Sequence, residues 1–314
     1  MSHSSSPPSN HQSTGQVGVL MALAAFGWWA WVTPLYFHVL DSIPASEQLA
    51  WRVISGLPAM LLILLLSRQL SQLITILRSP RVLLLLVCSA SLLSINWFTF
   101  TWAVINQRLV EGSLGYYINP LVSVLLGAIF LGERLRGLQA IAVAIAVVGV
   151  GVNTLVLGYL PWISLIIAFS FGFYGLIRKQ VRAAPGPGIS VEMLLMLPVM
   201  VLVLVFTYRA PDGLSHSSWN WTLLVLAGPQ TVIPLLFYTG AARRITLSTL
   251  GLLQFLAPTG QLLLAVLAFG ESFTRGQVWA FALIWIAVIV YSVDTWRRSR
   301  ATALPDPNSL PEVD

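Results

Sequence analysis

The sequence predicts an all-α polytopic membrane protein of ten transmembrane helices, arranged as two inverted five-helix repeats. Three observations predict it. Of the 314 residues, 57% are hydrophobic and only 9% charged, against about a quarter charged in soluble domains, and the mean hydropathy is +0.82. Apolar runs recur at a length of about 20 residues, enough to cross a hydrocarbon layer about 30 Å thick. Short strings of the first half also return, in order, in the second.

The apolar runs fall near 17–37, 47–67, 81–104, 113–131, 138–157, 161–179, 190–208, 219–240, 247–269 and 276–296. The loops between them are short and leave no soluble domain to carry chemistry. The longest, around 180–189 and 209–218, are rich in Pro, Gly and Ser, as turns require. Residues 1–16 are Ser- and Pro-rich and apolar-poor, and read as a disordered tail. They lack the positive stretch of a signal peptide, so the first run is kept as a span. Residues 297–314 form a second tail.

With the N-terminus inside, thirteen of the seventeen Lys and Arg residues lie on the cytoplasmic side. Only Arg52, Arg108, Arg209 and Arg275 lie toward the outer side. This asymmetry obeys the positive-inside rule and places both termini in the cytoplasm. The sequence pI of about 9.9 is then a matter of topology, and no nucleic-acid partner is expected. Cys88 is the single cysteine; it forms no intrachain disulfide and reads as a small buried hydrophobe.

The first half of the chain recurs in the second. Phe100-Thr101-Trp102-Ala103 matches Tyr238-Thr239-Gly240-Ala241 at a shift of 138, which also carries Pro120 onto Pro258 and Gly132-Glu133 onto Gly270-Glu271. Phe26-Gly27-Trp28-Trp29 matches Phe171-Gly172-Phe173-Tyr174 at a shift of 145. The halves are 17–157 and 158–296. Each holds five spans, an odd number, so the second enters the membrane from the opposite side. Many secondary transporters are built this way, with their sites near the midplane between the halves.

The fourth span can be read by phase. At about 100° per residue, Ser113, Asn119, Pro120, Ser123 and Gly127 fall within roughly 60° of Tyr116. Leu114, Ile118, Leu121, Val122 and Leu125 fall on the other side, which is expected to face lipid. The ninth span repeats the stripe with Gly251, Gln254, Pro258, Gln261 and Ala265. A proline removes a backbone donor and frees a carbonyl, which a span tolerates where protein or a wet cavity satisfies it. Pro120 and Pro258 are therefore read as flex points of cavity-lining helices; the alternative is a packing seam of small residues.

Two charges are expected inside spans. Arg52 opens the second and Glu192 the seventh, toward opposite faces, so direct pairing is not expected. Intramembrane charge is costly and usually functional; Arg52 could attract an anionic or carboxylate substrate, Glu192 a cation or proton. Glu133 and Glu271 sit at opposite membrane edges, as turn-fixing residues, loop caps or latches. Asn96 on the third span, Tyr174 on the sixth and Gln230 on the eighth join Tyr116, Asn119 and Gln254 as expected cavity contacts. Buried amides need partners, and this mix of aromatic faces with few amides suits an amphipathic organic solute. HExxH, GxxxxGK[ST], CxxC and GxSxG strings do not occur; no catalytic residue, metal site or cofactor is expected.

The stretches 96–135 (NWFTFTWAVINQRLVEGSLGYYINPLVSVLLGAIFLGERL), AFSFGFYGLIRK (168–179) and STLGLLQFLAPTGQLLLAV (248–266) resemble the RarD branch of the EamA family. That family belongs to the drug/metabolite transporter superfamily. The resemblance covers residues 17–296 and implies a ten-helix inner-membrane permease of two inverted EamA repeats with cytoplasmic termini. Relatives often carry His before the arginine of the second span; here that residue is Trp51, which weakens any His-Arg proton relay there. The expected function is secondary transport of a small organic metabolite or drug by alternating access. A membrane-embedded enzyme acting on lipid and a non-transporting sensor or scaffold are the alternatives. The sequence leaves the oligomeric state open.

Overall fold

The computed structural model describes residues 10–303, apart from 133, 135–136, 182 and 210–215. The first span comprises α1 (Asn10–Gly27), a π-helical turn (Trp28–Val32) and α2 (Thr33–Val39). The second is α3 (Ala45–Leu66); a short helix, α4 (Leu70–Leu77), leads into the third, α5 (Pro80–Ile105). Then follow α6 (Leu109–Leu131), α7 (Gly137–Leu157), α8 (Trp162–Gln180), α9 (Pro185–Arg209) and α10 (Ser218–Ala242). The ninth span is divided into α11 (Leu247–Leu253) and α12 (Leu256–Leu267), and α13 (Arg275–Ala303) is the tenth.

Ten of these segments are long and apolar enough to cross a membrane, and as helices they satisfy most of their backbone groups internally. An even number of crossings leaves Asn10 and Ala303 on one face, here the terminal face; the other is the far face. The helical ladder reaches further than the apolar runs, since hydrogen bonding continues beyond the point where hydropathy falls. Residues 10–16, expected as tail, are helical, and so are 297–303. Residues 1–9 and 304–314 of the expected tails lie outside the described residues.

The packing follows the repeat. α7 lies against α13 and α3 against α9, pairing the fifth span with the tenth and the second with the seventh. α5 packs on α8 while α1 packs on α10, and α6 packs on α8 while α12 packs on the π-helical turn. These are equivalent contacts of two halves related by a pseudo-two-fold axis. The Gly-Glu steps also match: Gly132 ends α6 at φ +66° and Gly270 follows α12 at φ +68°, a left-handed turn that glycine enters without steric cost.

Small residues let the backbones approach. A Cβ on Gly228 would come within 2.1 Å of the Gly56 backbone nitrogen, and the Ser55 hydroxyl accepts from Gly228 N–H at 2.9 Å across the same contact. This is the close small-residue packing on which helix association in lipid depends.

Three expectations need correction. Leu114, Ile118, Leu121 and Val122 do not face lipid; all are buried and Leu125 is half-buried, because α6 runs through the middle of the bundle against α8. Phase separates polar from apolar faces but cannot separate lipid from an equally apolar neighbour. Cys88 is exposed rather than buried, on a face of α5 shared with exposed Leu84 and Val87. Two further charges are buried within spans beside Arg52 and Glu192: Glu47, at the first position of the expected second span, and Glu111, which the fourth span takes in by starting at Leu109.

Candidate functional site

Arg52 lies seven residues into α3, about 10 Å from the far-face end at about 1.5 Å per residue. It is 5% exposed. Its guanidinium carbon sits 3.9 Å from the centroid of the Trp97 ring and 5.5 Å from that of Phe37, cation–π distances that partly replace lost hydration. No hydrogen bond or ion pair to the guanidinium is made among the described residues, and its Nε is fully buried without an acceptor. Trp97 on α5 and Tyr116 on α6 lie at similar depth, about 12 and 10 Å by the same helical rise. Neither Trp97 nor Phe37 carries a signal that ties it to Arg52 in the sequence; the crossing of three spans brings them together.

Tyr116 donates to Asn96 Oδ1 at 3.1 Å, and the Asn96 amide donates to the Ile167 carbonyl at 3.1 Å and to Ser170 Oγ at 3.2 Å. The Asn119 amide donates to the Ala168 carbonyl at 3.1 Å. The third span is thus tied to the fourth and sixth through Asn96, and the fourth is tied to the sixth separately through Asn119. Tyr116 is edge-on to Phe100 and Phe171, and Ser123, one turn beyond Asn119, is exposed.

Glu192 is near the terminal face and does not meet Arg52. Its fully buried carboxylate accepts from Ser89 Oγ at 2.5 Å and from the Tyr174 hydroxyl at 3.4 Å, with Arg178 Nη1 3.7 Å away. Arg178 was legible as a charge at the end of the sixth span, but its partner was not. Gln230 lies near mid-membrane on α10, 6% exposed, and neither side-chain atom has a partner. Gln254 is half-buried at the break in the ninth span. The six expected cavity contacts therefore divide: Asn96 and Tyr116 are joined, Asn119 holds the α8 backbone beside them, Tyr174 sits with Glu192, and Gln230 and Gln254 make no hydrogen bond to either group among the described residues.

The two proline helices differ. α6 continues unbroken through Pro120, whereas the ninth span breaks at Gln254–Phe255, with Ala257 N–H reaching the Gln254 carbonyl that Pro258 cannot serve. Beside this break, the π-helical turn of the first span frees backbone acceptors, and the Gln261 amide donates to the Trp29 carbonyl at 3.0 Å. Gly260 packs under Ala30 and Trp31, where a Cβ would meet Ala30 at 2.6 Å. Single π-turns mark functional sites often enough to be informative, and this one had no signal in the local sequence.

The far face is cross-tied. Glu271, expected as an edge residue, accepts from Leu109 N–H at 2.6 Å and from Val110 N–H at 2.8 Å. It thereby caps the N-terminus of α6, where a helix presents unpaired donors and a positive dipole end. Burial pushes its carboxyl above the usual range, and the two backbone hydrogen bonds pull the other way. Glu111 pairs with Arg108 at 2.5 Å and accepts from Tyr159 at 3.0 Å. Glu47 meets His216 at 2.8 Å, and the Tyr36 hydroxyl donates to the Leu223 carbonyl. Glu133, the repeat mate of Glu271, lies outside the described residues.

The profile of the EamA-like transporter family matches residues 16–155 and 159–293, one copy for each half of the bundle. The chain belongs to the EamA-like transporter family. Its two EamA repeats are the two inverted halves described above. Among its relatives is an "Uncharacterized transporter" of Vibrio cholerae, 40% identical, the match covering 92% of this chain and 96% of that one. "Protein RarD" of Escherichia coli K12 is 42% identical over 91% of this chain and 97% of its own length. "Chloramphenicol-sensitive protein RarD" of Pseudomonas aeruginosa is 31% identical over 91% and 97%. A solved crystal structure, 21% identical, superposes with a TM-score of 0.59 over 89% of this chain and 99% of that one, a likeness of fold.

Proposed function

We propose that this EamA-family protein is a permease of the bacterial inner membrane, with cytoplasmic termini, that moves a small organic solute by alternating access. One observation carries the reading: equivalent helices of the two halves differ locally, α6 continuing as one helix through Pro120 and the ninth span interrupted by a tighter turn at Gln254–Phe255, just before Pro258. In an inverted repeat, exchanging those two shapes converts access from one face into access from the other. The ties at the far face then belong to the state closed on that side. The names of the relatives, transporter and RarD, support the same reading.

In this account Tyr116, Asn119, Tyr174, Gln230 and Gln254 line the path, with Asn96 fixing the Tyr116 hydroxyl. Pro120 and Pro258 are the positions where the helices change shape. If flux follows a proton gradient, the coupling carboxylate is Glu192, which already holds Ser89, Tyr174 and Arg178 around it. The test is a thermal-stabilisation screen of the purified protein with small organic solutes, followed by flux of any hit in proteoliposomes. Saturable flux that Asn119→Ala slows supports the reading; hits that bind, are never carried and are chemically converted would replace it with an enzyme.

A further inference from the structure

We propose that Arg52 is the receptor for the carboxylate of a monoanionic organic solute, with the rings beside it receiving the solute's apolar body. This deepens the transport reading and rests on it. An arginine at the start of a span ordinarily snorkels to the interface. Arg52 instead has its backbone about 10 Å inside the helix end, and its buried guanidinium lies over Trp97 and beside Phe37. Ring stacking uses the face of the guanidinium and leaves the in-plane N–H donors on its edge, the geometry that takes a carboxylate with two parallel hydrogen bonds. Those donors have no acceptor among the described residues. A charge so buried is expensive until it is paired, so an anion gains more here than at an exposed arginine.

The charge balance selects the class. Arg178 is matched by Glu192 and Glu111 by Arg108, and Glu47 shares a hydrogen bond with His216. Arg52 is the buried cation without a counter-ion among the described residues, and it offers one charge. A monocarboxylate completes it; a phosphate dianion or a dicarboxylate would carry a second charge into the bilayer interior unmatched. The environment of the guanidinium is aromatic, with Tyr116 on the next helix at the same depth, which favours a ring or chain over a polyol. Gln230, whose amide has no partner, lies about 8 Å deeper by helical rise and suits a polar group further along the solute.

The test uses the purified full chain and four probes, benzoate, phenylacetate, hippurate and octanoate, each beside its uncharged amide, with succinate and inorganic phosphate as further controls. Thermal stabilisation and quenching of tryptophan emission are read together. At least one monocarboxylate is expected to bind saturably, with its amide, succinate and phosphate at least about tenfold weaker, the loss of one charge-assisted contact. Arg52→Lys should weaken that binding and Arg52→Met abolish it, in protein that remains monodisperse. Equal binding of acid and amide, no binding by any of the four acids, or full carboxylate binding by Arg52→Met overturns the proposal. The wild-type acid-amide comparison decides even if Arg52→Met does not fold. Carboxylate binding without flux would sink the transport reading and leave the receptor standing; flux of neutral solutes alone, unaffected by Arg52→Met, would do the reverse.

Discussion

Glu271, in the second repeat, holds the backbone N–H of Leu109, the first residue of the fourth span in the first repeat, at 2.6 Å. Its other oxygen takes Val110 N–H. The Gly-Glu step at the end of the ninth span thus has a physical function. Gly270 turns the chain back in a left-handed conformation, and the glutamate that follows caps a helix of the opposite half.

Removing that cap leaves two N–H groups of buried residues, Leu109 and Val110, without acceptors. Glu271→Ala is expected to cost about 1–3 kcal/mol, the penalty for unsatisfied buried donors, seen as a lower Tm in detergent. Gly270→Ala should cost about 1 kcal/mol through the strained left-handed backbone. An unchanged Tm in both would show that the cap contributes nothing to this state.

The pH dependence has a definite sign. Burial raises the Glu271 pKa in the folded protein, so this group's titration contributes stability that is fully present below its unfolded pKa of about 4.3. That contribution is lost as pH rises through the raised value. The Tm difference, wild type minus Glu271→Gln, should therefore decline as pH rises above about 4, and level once the pH has passed the raised value. A difference that grows with pH contradicts the assigned shift.

Gly228→Ala places a Cβ 2.1 Å from backbone at Gly56, which no side-chain adjustment can relieve. We expect a loss of about 2–4 kcal/mol or failure to fold, at the upper end of overpacking effects. Gly151→Ala, with nothing within 4 Å of the new Cβ, should be neutral or gain about 0.5–1 kcal/mol from helix propensity. Equal effects at the two sites would refute the close approach of α3 and α10.

Pro258→Ala returns a donor to the Gln254 carbonyl and favours a straight ninth span. A bias of about 1.4 kcal/mol between the two shapes changes their ratio about tenfold, so flux should fall while Tm holds or rises. Pro120→Ala acts on a helix that is already continuous and should alter Tm less. Lower Tm together with lower flux in Pro258→Ala would mean that the proline serves packing alone.

Much of this architecture was legible because composition and period act over long windows. The ten spans, the two halves and the paired Pro and Gly-Glu positions all follow from hydropathy and offset. What was hidden depends on contacts between distant residues. Leu114 and Leu121 look lipid-facing because a neighbouring helix is as apolar as lipid, and only the topology puts α8 there. α4, at eight residues, was too short for its amphipathic pattern to stand out from a loop. The π-helical turn at Trp28–Val32 is set by packing on the ninth span, with Gln261 meeting a freed carbonyl 232 residues away. The separation of Arg52 from Glu192 was anticipated, since they enter from opposite faces. Their actual neighbours, Trp97 for one and Ser89 with Arg178 for the other, needed three dimensions.

The proposed transport has the two repeats carry a solute across the bilayer by exchanging shapes. Counterflow tests it most directly: proteoliposomes loaded with unlabelled hippurate, or whichever acid binds best, are diluted into a trace of the labelled compound. The expected result is transient, saturable accumulation of label above equilibrium, absent from empty liposomes and lost in Arg52→Met. Uptake no greater than in protein-free liposomes, for a compound shown to bind, would contradict it.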